Sequence, residues 1–325
     1  VKLCVFGAGA IGGHVAARAF KGGADVSVLA RGASLAAIRA NGLTVRAADG
    51  EVRFNPAASD DPEKLGPQDA VLVTVKAPGL AAVAATIAPL LGPETPVAFI
   101  INGIPWWYFL RHGGPLDGRR LPRLDPGEAL HSAVGPDRVI GGVVWSACTA
   151  TAPGIVEVAT RTNRLALGEP DGSISPRLQS LAALLTAGGL PTEASPDIRR
   201  TVWQKLILNL CSTPMAVLAE AGPNLLYHEP ACADAVRRIA AETEAMAAAL
   251  GRPIAVDAEA QLAAGRNLAH LPSMAQDLRL GRPMEVAAMF DAPLELARLA
   301  GVETPTLDLL VALARLRAKA AGLYS

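Results

Sequence analysis

Three polar side chains recur every four residues along one strongly apolar stretch of the chain. Lys205, Asn209 and Thr213 fall within residues 202–217, where most other positions are aliphatic or aromatic. A spacing of four residues places side chains on the same face of an α-helix, and a helix that is apolar nearly all round is buried. Burying a lysine without a partner costs several kcal/mol. The stripe therefore predicts either a structural ion pair or a cleft that holds a polar substrate.

Two further polar residues lie where later helices are predicted to begin. Ser273 opens the segment 273–277, and Glu285 follows Pro283 closely. Serine is favoured at the N-cap of a helix, and an acid is favoured in the first turn after a proline. Residue chemistry alone therefore does not distinguish a structural from a functional role for either side chain.

A glycine-rich segment near the start of the chain has the pattern G-x-G-x-x-G. It comprises Gly7, Ala8, Gly9, Ala10, Ile11 and Gly12. The apolar run 3–6 before it predicts a buried strand, and the alanine-rich residues 15–20 after it predict a helix. In that order the first glycine allows a tight turn, the second lets the backbone approach a pyrophosphate, and the third lets helix and strand pack closely. The segment therefore predicts a dinucleotide site with the pyrophosphate at the helix N-terminus.

The end of the second predicted strand, residues 25–30, indicates which dinucleotide is bound. An NAD-binding protein usually has an Asp or Glu there to hold the ribose hydroxyls. In this chain Arg31 follows the strand and no carboxylate does. An arginine suits the 2′-phosphate of NADP, so the sequence favours NADPH, with a solvated loop arginine as the structural alternative.

Two more polar residues follow predicted core strands. Lys76 ends the strand 70–75, and Asn102 ends the strand 96–101. Ligands of open parallel sheets gather at the carboxyl ends of the strands, so we assign both residues to the cofactor side. A surface lysine and an ordinary Asn-Gly turn are the structural alternatives.

The elements that must position these residues divide the chain into two predicted domains, 1–195 and 196–325. The first alternates strands and helices, which is typical of an α/β fold. It includes a helix over 34–41, a strand pair over 43–54, a helix over 80–91 and a helix over 175–187. The second domain is predicted to be helical almost throughout. Its apolar character allows a homodimer.

Two parts of the first domain are less regular. Residues 139–146 and 154–167 are predicted to be antiparallel strands that close the sheet. Residues 105–137 are rich in glycine and proline and hold four consecutive aromatic residues. Loops of this length are usually lids, binding loops or mobile segments, and we expect the aromatic cluster to pack this one down or to make a subunit contact.

The composition argues against several classes of protein. Thirty basic residues balance thirty acidic ones, so the chain has no net charge that would favour binding to nucleic acid or to an anionic membrane. The longest uncharged stretch, 139–156, is broken by glycine and proline and does not predict a membrane helix. The four cysteines stand far apart and the five histidines lack ligand spacing. This predicts reduced thiols in a cytoplasmic protein and no metal site.

Together these residues resemble a known family, the ketopantoate reductases (2-dehydropantoate 2-reductases), nearly from end to end. The resemblance rests on the glycine pattern, Val-Lys-Ala at 75–77, Asn-Gly-Ile at 102–104, Trp-Gln-Lys-Leu-Ile-Leu-Asn at 203–209, and Ser-Met-Ala-Gln-Asp at 273–277 with Glu285. It implies a Rossmann-type N-terminal α/β domain and an all-helical C-terminal domain of the 6-phosphogluconate dehydrogenase C-terminal type, with the active site in the cleft between them. It also implies reduction of a small 2-oxo acid, ketopantoate, to pantoate by NADPH in pantothenate and coenzyme A biosynthesis.

The resemblance also implies a role for each candidate residue. Lys205 would be the general acid, and Glu285 a catalytic contact to cofactor or substrate hydroxyl. The substrate contacts would be Asn209, Ser273, Asn102 and Thr213. Asn102 and Lys76 would also bind on the cofactor side, beside the glycine segment and Arg31.

The sequence departs from the family pattern at substrate-side positions. Thr213 stands where a second asparagine is usual, His270 stands where another is common, and residues 286–291 lack the customary asparagine near their end. A paralogue that reduces a different 2-oxo acid is therefore one alternative. A protein that senses NADPH without turning it over is another.

Overall fold

A computed structural model describes residues 1–324, which form two compact units. The first unit comprises Val1–Ile101 and Trp106–Ile198, and the second comprises Asn102–Pro105 and the chain from Arg199 onward. The division of labour between a cofactor domain, 1–195, and a substrate domain, 196–325, stays a prediction. No helix within the described chain is both long enough and apolar enough to span a membrane.

The first unit contains twelve strands and five α-helices. The strands are β1 (Lys2–Phe6), β2 (Asp25–Leu29), β3 (Leu43–Ala47), β4 (Gly50–Phe54), β5 (Ala57–Ser59), β6 (Ala70–Val73), β7 (Val97–Ile100), β8 (Val139–Trp145), β9 (Cys148–Ala152), β10 (Ile155–Val158), β11 (Arg164–Gly168) and β12 (Thr192–Ala194). The helices are α1 (Ala10–Lys21), α2 (Gly32–Asn41), α3 (Leu80–Thr86), α4 (Ala129–Val134) and α5 (Pro176–Ala187).

Eight strands form the main sheet, in the order β12-β11-β8-β7-β6-β1-β2-β5. Pairing is parallel from β5 through β8, whereas β11 runs antiparallel to β8. Leu3, Val5 and Leu72 are fully buried in its central strands, as expected where helices cover both faces. The chain leaves β1 first toward β2 and later returns to β6 on the other side. This reversal places a ligand-binding crevice at the carboxyl end of β1.

Two predicted elements of this unit end earlier than expected. The strand predicted over 70–75 ends at Val73, and the next residue, Thr74, bonds the glycine segment through its hydroxyl. The helix predicted over 80–91 ends at Thr86 and is followed by a 3₁₀ turn over Ala88–Leu90. The second residue of that turn is Pro89, and a residue that precedes proline is disfavoured in the α conformation.

The prediction that residues 154–167 close the main sheet is wrong for its first part. β11 joins that sheet, but β10 belongs to a separate sheet in the order β4-β3-β10-β9. The β3–β4 hairpin leaves one edge of β3 unpaired, and Ile155–Glu157 pair with it in parallel. Val156 is buried and lies against Gly13 of α1, where a Cβ atom would come within 2.7 Å of its side chain.

The segment 105–137 is packed down by its aromatic residues. Trp106, Trp107, Tyr108 and Phe109 are each at most 5% exposed. The segment is also less irregular than predicted, because it contains α4 and short 3₁₀ turns. Asp125 stabilises the start of α4 by accepting hydrogen bonds from the N–H groups of Leu130 and His131 at 2.7 and 3.0 Å.

The second unit is helical within the described residues. Its helices are α6 (Ile198–Ala219), α7 (Pro223–Leu226), α8 (Pro230–Ala249), α9 (Ala258–Gly265), α10 (Ser273–Arg279), α11 (Ala292–Leu299) and α12 (Pro305–Ala320). A π-helical turn, Ala287–Asp291, leads directly into α11. Glu242 of α8 accepts from the N–H groups of Thr306 and Leu307 at 2.8 and 2.9 Å, which stabilises the start of α12.

Candidate active site

The glycine segment between β1 and α1 has a shape that other residues would not fit. Gly7 has φ +106°, and a Cβ atom there would lie 2.6 Å from the Val75 side chain. At Gly12 a Cβ atom would lie 1.9 Å from the Gly7 carbonyl oxygen. Gly9, by contrast, faces open space, with nothing within 4 Å of its Cβ position. Of the three glycines, Gly9 is therefore the one beside which a ligand has room.

The start of α1 suits an anion. Gly9 is its N-cap, with no side-chain capping bond among the described residues and no acid in the first turn. The first N–H groups of a helix lack intrahelical partners and carry the positive end of the helix dipole. These groups and the open Gly9 fit a dinucleotide pyrophosphate.

Thr74 is a residue of the site that sequence reasoning missed. Its hydroxyl donates to the Gly7 carbonyl at 2.8 Å, so the end of β6 is tied directly to the glycine segment. The Thr74 hydroxyl adds to the close packing at Gly12, because a Cβ atom there would also lie 2.5 Å from Thr74 Oγ1. The sequence signal was only a hydroxyl residue directly after a buried apolar run.

Arg31 and Lys76 stand at the carboxyl ends of the strands on either side of β1. Arg31 is the N-cap of α2, two residues after β2. Lys76 begins a 3₁₀ turn after β6, and its carbonyl accepts from the Gly79 N–H at 2.7 Å. Both side chains are exposed. Because β2, β1 and β6 are neighbours, the two cations bracket the glycine segment along the sheet edge.

The predicted polar stripe lies on one continuous helix, α6, which runs through Pro214. Lys205 and Asn209 are half-buried, whereas Thr213 is only 3% exposed. The helix therefore holds the lysine and the asparagine on a face that water or a ligand can reach in part. Thr213 is the least accessible of the three.

Ser273 begins a helix, as the sequence predicts, whereas Glu285 lies just before the helix that was predicted to contain it. Ser273 is the first residue of α10 and not its N-cap, which is Pro272. The Pro272 carbonyl already accepts the first helical bond, from the Gln276 N–H at 3.0 Å, and the Ser273 side chain is exposed. The helix predicted from Pro283 begins at Val286, so Glu285 precedes it. The Glu285 carbonyl accepts a hydrogen bond from the Met289 N–H, and the residue is 3% exposed.

The structure brings the Asn102 loop to the turn that follows Glu285. The Ile104 N–H donates to the Ala288 carbonyl at 2.9 Å. Gly103 has φ +83°, and a Cβ atom there would lie 2.4 Å from the same oxygen. The bond thus seats residues 102–105 on the π-helical turn, in the same compact unit as Lys205 and Ser273.

One titratable side chain lies inside the helix that begins at the glycine segment. His14 is fully buried, and neither ring nitrogen has a hydrogen-bond partner among residues 1–324. Burial, helped by the nearby Arg18 guanidinium, lowers the pKa of His14 to about 4. Arg18 in turn donates to Asp49 at 2.5 and 2.7 Å and holds the pKa of that carboxyl well below its usual range.

The remaining reactive side chains do not form a second centre in the described part of the chain. No group of three or more His, Cys, Asp or Glu residues there could hold a metal ion. All four cysteines are free, and burial raises the pKa of the Cys4 thiol to about 11 and of the Cys211 thiol to about 12. The thiols are therefore protonated at neutral pH.

Comparisons with known proteins agree along the whole chain. The family model "Ketopantoate reductase PanE/ApbA" matches residues 3–172, and "Ketopantoate reductase PanE/ApbA C terminal" matches residues 197–318. The 2-dehydropantoate 2-reductase of Mesorhizobium japonicum is 42% identical over 329 aligned positions, which cover 100% of both chains.

Solved structures agree as well. A Ralstonia solanacearum MolK2 protein assigned to the ketopantoate reductases superposes with a TM-score of 0.92 at 40% identity, covering 99% of each chain. The 2-dehydropantoate 2-reductase of Methylococcus capsulatus superposes with a TM-score of 0.83 at 28% identity, covering 99% of this chain and 98% of its own. These matches confirm the predicted α/β Rossmann-type domain with a helical C-terminal domain. The chain belongs to the ketopantoate reductase family and is a pyridine-nucleotide oxidoreductase.

Proposed function

We propose that this chain reduces ketopantoate to pantoate, with NADPH as the hydride donor and Lys205 as the general acid. The observation that carries the proposal is the stripe on α6, where a lysine and an asparagine are held half-buried one helical turn apart. A half-buried lysine of this kind is accessible in part, so its ammonium can reach a bound polar substrate. In an oxidoreductase of this family it supplies the proton that carbonyl reduction needs.

The glycine segment supports the choice of a dinucleotide, and Arg31 supports NADPH. The α1 N-terminus and the open Gly9 would hold the pyrophosphate. Arg31 would pair with the 2′-phosphate, because no carboxylate follows β2 to hold free ribose hydroxyls. When bound, the nicotinamide supplies the hydride. Lys76 and Asn102, which follow the next two parallel strands, would complete the cofactor contacts.

The chemistry proposed for the second unit follows from the negative charge that develops on the substrate during reduction. Hydride addition to the carbonyl carbon of a 2-oxo acid leaves negative charge on the carbonyl oxygen. The Lys205 ammonium would donate its proton to that oxygen as the alcohol forms, a role that contributes roughly 10² to 10⁴ in rate. Asn209, Ser273 and Asn102 would hold the substrate's polar groups, as would the less accessible Thr213. Glu285 would bind a hydroxyl of substrate or cofactor.

A panel of 2-oxo acids tests this assignment. We expect ketopantoate to accelerate NADPH oxidation more than 2-oxo acids that lack its neighbouring hydroxyl, and NADPH to be used better than NADH. The measurement is the absorbance of the reduced nicotinamide, with pantoate identified as the product. Turnover of another 2-oxo acid without turnover of ketopantoate would contradict the substrate.

One observation favours the paralogue as the second candidate. His270, which replaces a common asparagine, has its Nε2 atom 3.3 Å from the Gln276 amide nitrogen, and the same amide donates to the Leu271 carbonyl at 2.7 Å. The imidazole is therefore held in place close to Ser273 in the chain. A 2-oxo acid whose side group hydrogen-bonds to imidazole would then be reduced faster than ketopantoate in the panel.

The homodimer stays a prediction.

A further inference from the structure

A proline explains the π-helical turn that follows Glu285. In a regular α-helix the N–H of residue 293 would donate to the carbonyl of Met289. Pro293 has no N–H, and its ring would collide with that carbonyl. The helix widens instead: the Ala292 N–H donates to the Ala287 carbonyl, five residues back. Such single π-helical turns are rare and often occur at functional sites.

The widened turn leaves one carbonyl without a donor from its own helix. The donor four residues after Ala288 is the Ala292 N–H, which is already bonded to Ala287. The donor five residues after it would be residue 293, which is proline. The Ala288 carbonyl accepts from the Ile104 N–H instead, at 2.9 Å. Pro293 of α11 therefore determines which carbonyl accepts a hydrogen bond from the Ile104 N–H of the Asn102 loop.

We propose that Pro293 is a positioning residue for the active site. By widening the turn it directs the Ala288 carbonyl at Ile104, and so fixes Asn102 with respect to Glu285. The role of those two residues as ligand contacts rests on the proposed function. The hydrogen bond between the Ile104 N–H and the Ala288 carbonyl, and its dependence on Pro293, do not rest on that function.

Contacts at both ends hold the turn independently of Pro293. Before Glu285, the Met284 N–H donates to the Leu323 carbonyl at 3.0 Å. At the far end, the buried Asp291 carboxylate accepts from the Tyr324 hydroxyl at 2.5 Å and lies 3.5 Å from Arg315 Nε. Replacing Pro293 should therefore move the middle of the turn and leave its ends in place.

The substitution Pro293→Ala tests the proposal, because alanine restores the missing donor. We expect the turn to relax toward an α-helix and the Ala288 carbonyl to leave Ile104. Hydrogen exchange at the Ile104 amide should quicken about tenfold, as for the loss of one hydrogen bond. In the full-length enzyme the KM for ketopantoate should rise about tenfold while kcat stays within about twofold, the pattern expected when binding alone is lost. The melting temperature should not fall.

Two further variants make the test specific. Gly103→Ala disturbs the same bond from the loop side, since its Cβ atom would lie 2.4 Å from the Ala288 oxygen; it should raise the same KM. Pro305→Ala is the matched control, because Pro305 begins α12, where no N–H is needed. It should leave Ile104 exchange and both kinetic constants unchanged.

The outcomes separate the two proposals. Unchanged Ile104 exchange in Pro293→Ala, or a KM that rises equally in Pro305→Ala, would overturn the positioning role. Should Pro293→Ala not fold, normal kinetics in Gly103→Ala would overturn it. If the wild-type enzyme does not reduce ketopantoate but Ile104 exchange responds as expected, the proposed substrate fails and the positioning role stands.

Discussion

At the scale of a single residue, His14 is a titratable side chain whose burial its sequence position does not reveal. It lies two residues after Gly12, yet it is fully buried beside Arg18. An imidazole buried without hydrogen-bond partners remains in the fold only in its neutral form. The glycine-rich start of α1 therefore contains a group that opposes folding when it is protonated.

The stability of the protein should fall in mild acid because of His14. Its pKa is about 4 in the fold, against 6.5 for an ordinary histidine. The unfolded chain therefore binds the proton first, so stability is full above pH 6.5 and declines as the pH drops toward 4, by roughly 3 kcal/mol. His14→Leu should abolish this decline in urea denaturation, whereas exposed His228→Gln should keep it. An unchanged pH dependence in His14→Leu would contradict the burial argument.

The sequence predicts the local geometry of a residue where the constraint on it is local, and the steric limits at Gly7 and Gly12 are the example. Gly7 and Gly12 could be assigned from a short pattern because the turn and the first helical residues are neighbours in the chain. Thr74 could not be, because its partner, the Gly7 carbonyl, directly follows β1 and the bond exists only once β1 and β6 pair. An N-cap was the structural alternative for Ser273, but the Pro272 carbonyl accepts the first helical bond, so Ser273 lies inside the helix.

At the scale of elements, we expect the hydrogen bond between the end of β6 and the glycine segment to strengthen cofactor binding. Thr74→Val removes the hydroxyl that donates to the Gly7 carbonyl at 2.8 Å and keeps nearly the same volume. A net hydrogen bond contributes about 1 kcal/mol, so the KM for NADPH should rise about fivefold with kcat little changed.

A matched control is available in α3. The Thr86 hydroxyl also donates to a backbone carbonyl at 2.8 Å, that of Ala82, but within its own helix. Thr86→Val should leave the NADPH KM at the wild-type value. An equal rise in both variants would show that the effect is general destabilisation.

Element prediction succeeded where the pattern is periodic and failed where a distant partner decides. The stripe on α6 repeats every four residues over about two helical turns, so its helix and its shared face follow from spacing alone. β10 has an equally clear apolar pattern, but its sheet is decided by the free edge of β3, far away in the chain. The π-helical turn over Ala287–Asp291 was not predicted, because the sequence prediction did not include the effect of a proline inside a continuous helix.

At the scale of the whole molecule, the two compact units carry different parts of the proposed chemistry. The first has the glycine segment and the cations that follow β2 and β6. The second has Lys205, Asn209, Ser273 and Glu285, together with the seated Asn102 loop. If both serve one reaction, a change in the second unit should stop catalysis and spare cofactor binding by the first.

The most direct measurement compares Lys205→Ala with the wild-type enzyme in ketopantoate reduction and in NADPH binding. We expect kcat to fall roughly 10² to 10⁴-fold, with the NADPH dissociation constant from fluorescence titration within about twofold. Gln204→Ala, an exposed neighbour on the same helix, should match the wild type in both. Full activity in Lys205→Ala would remove the lysine from the mechanism and contradict the account.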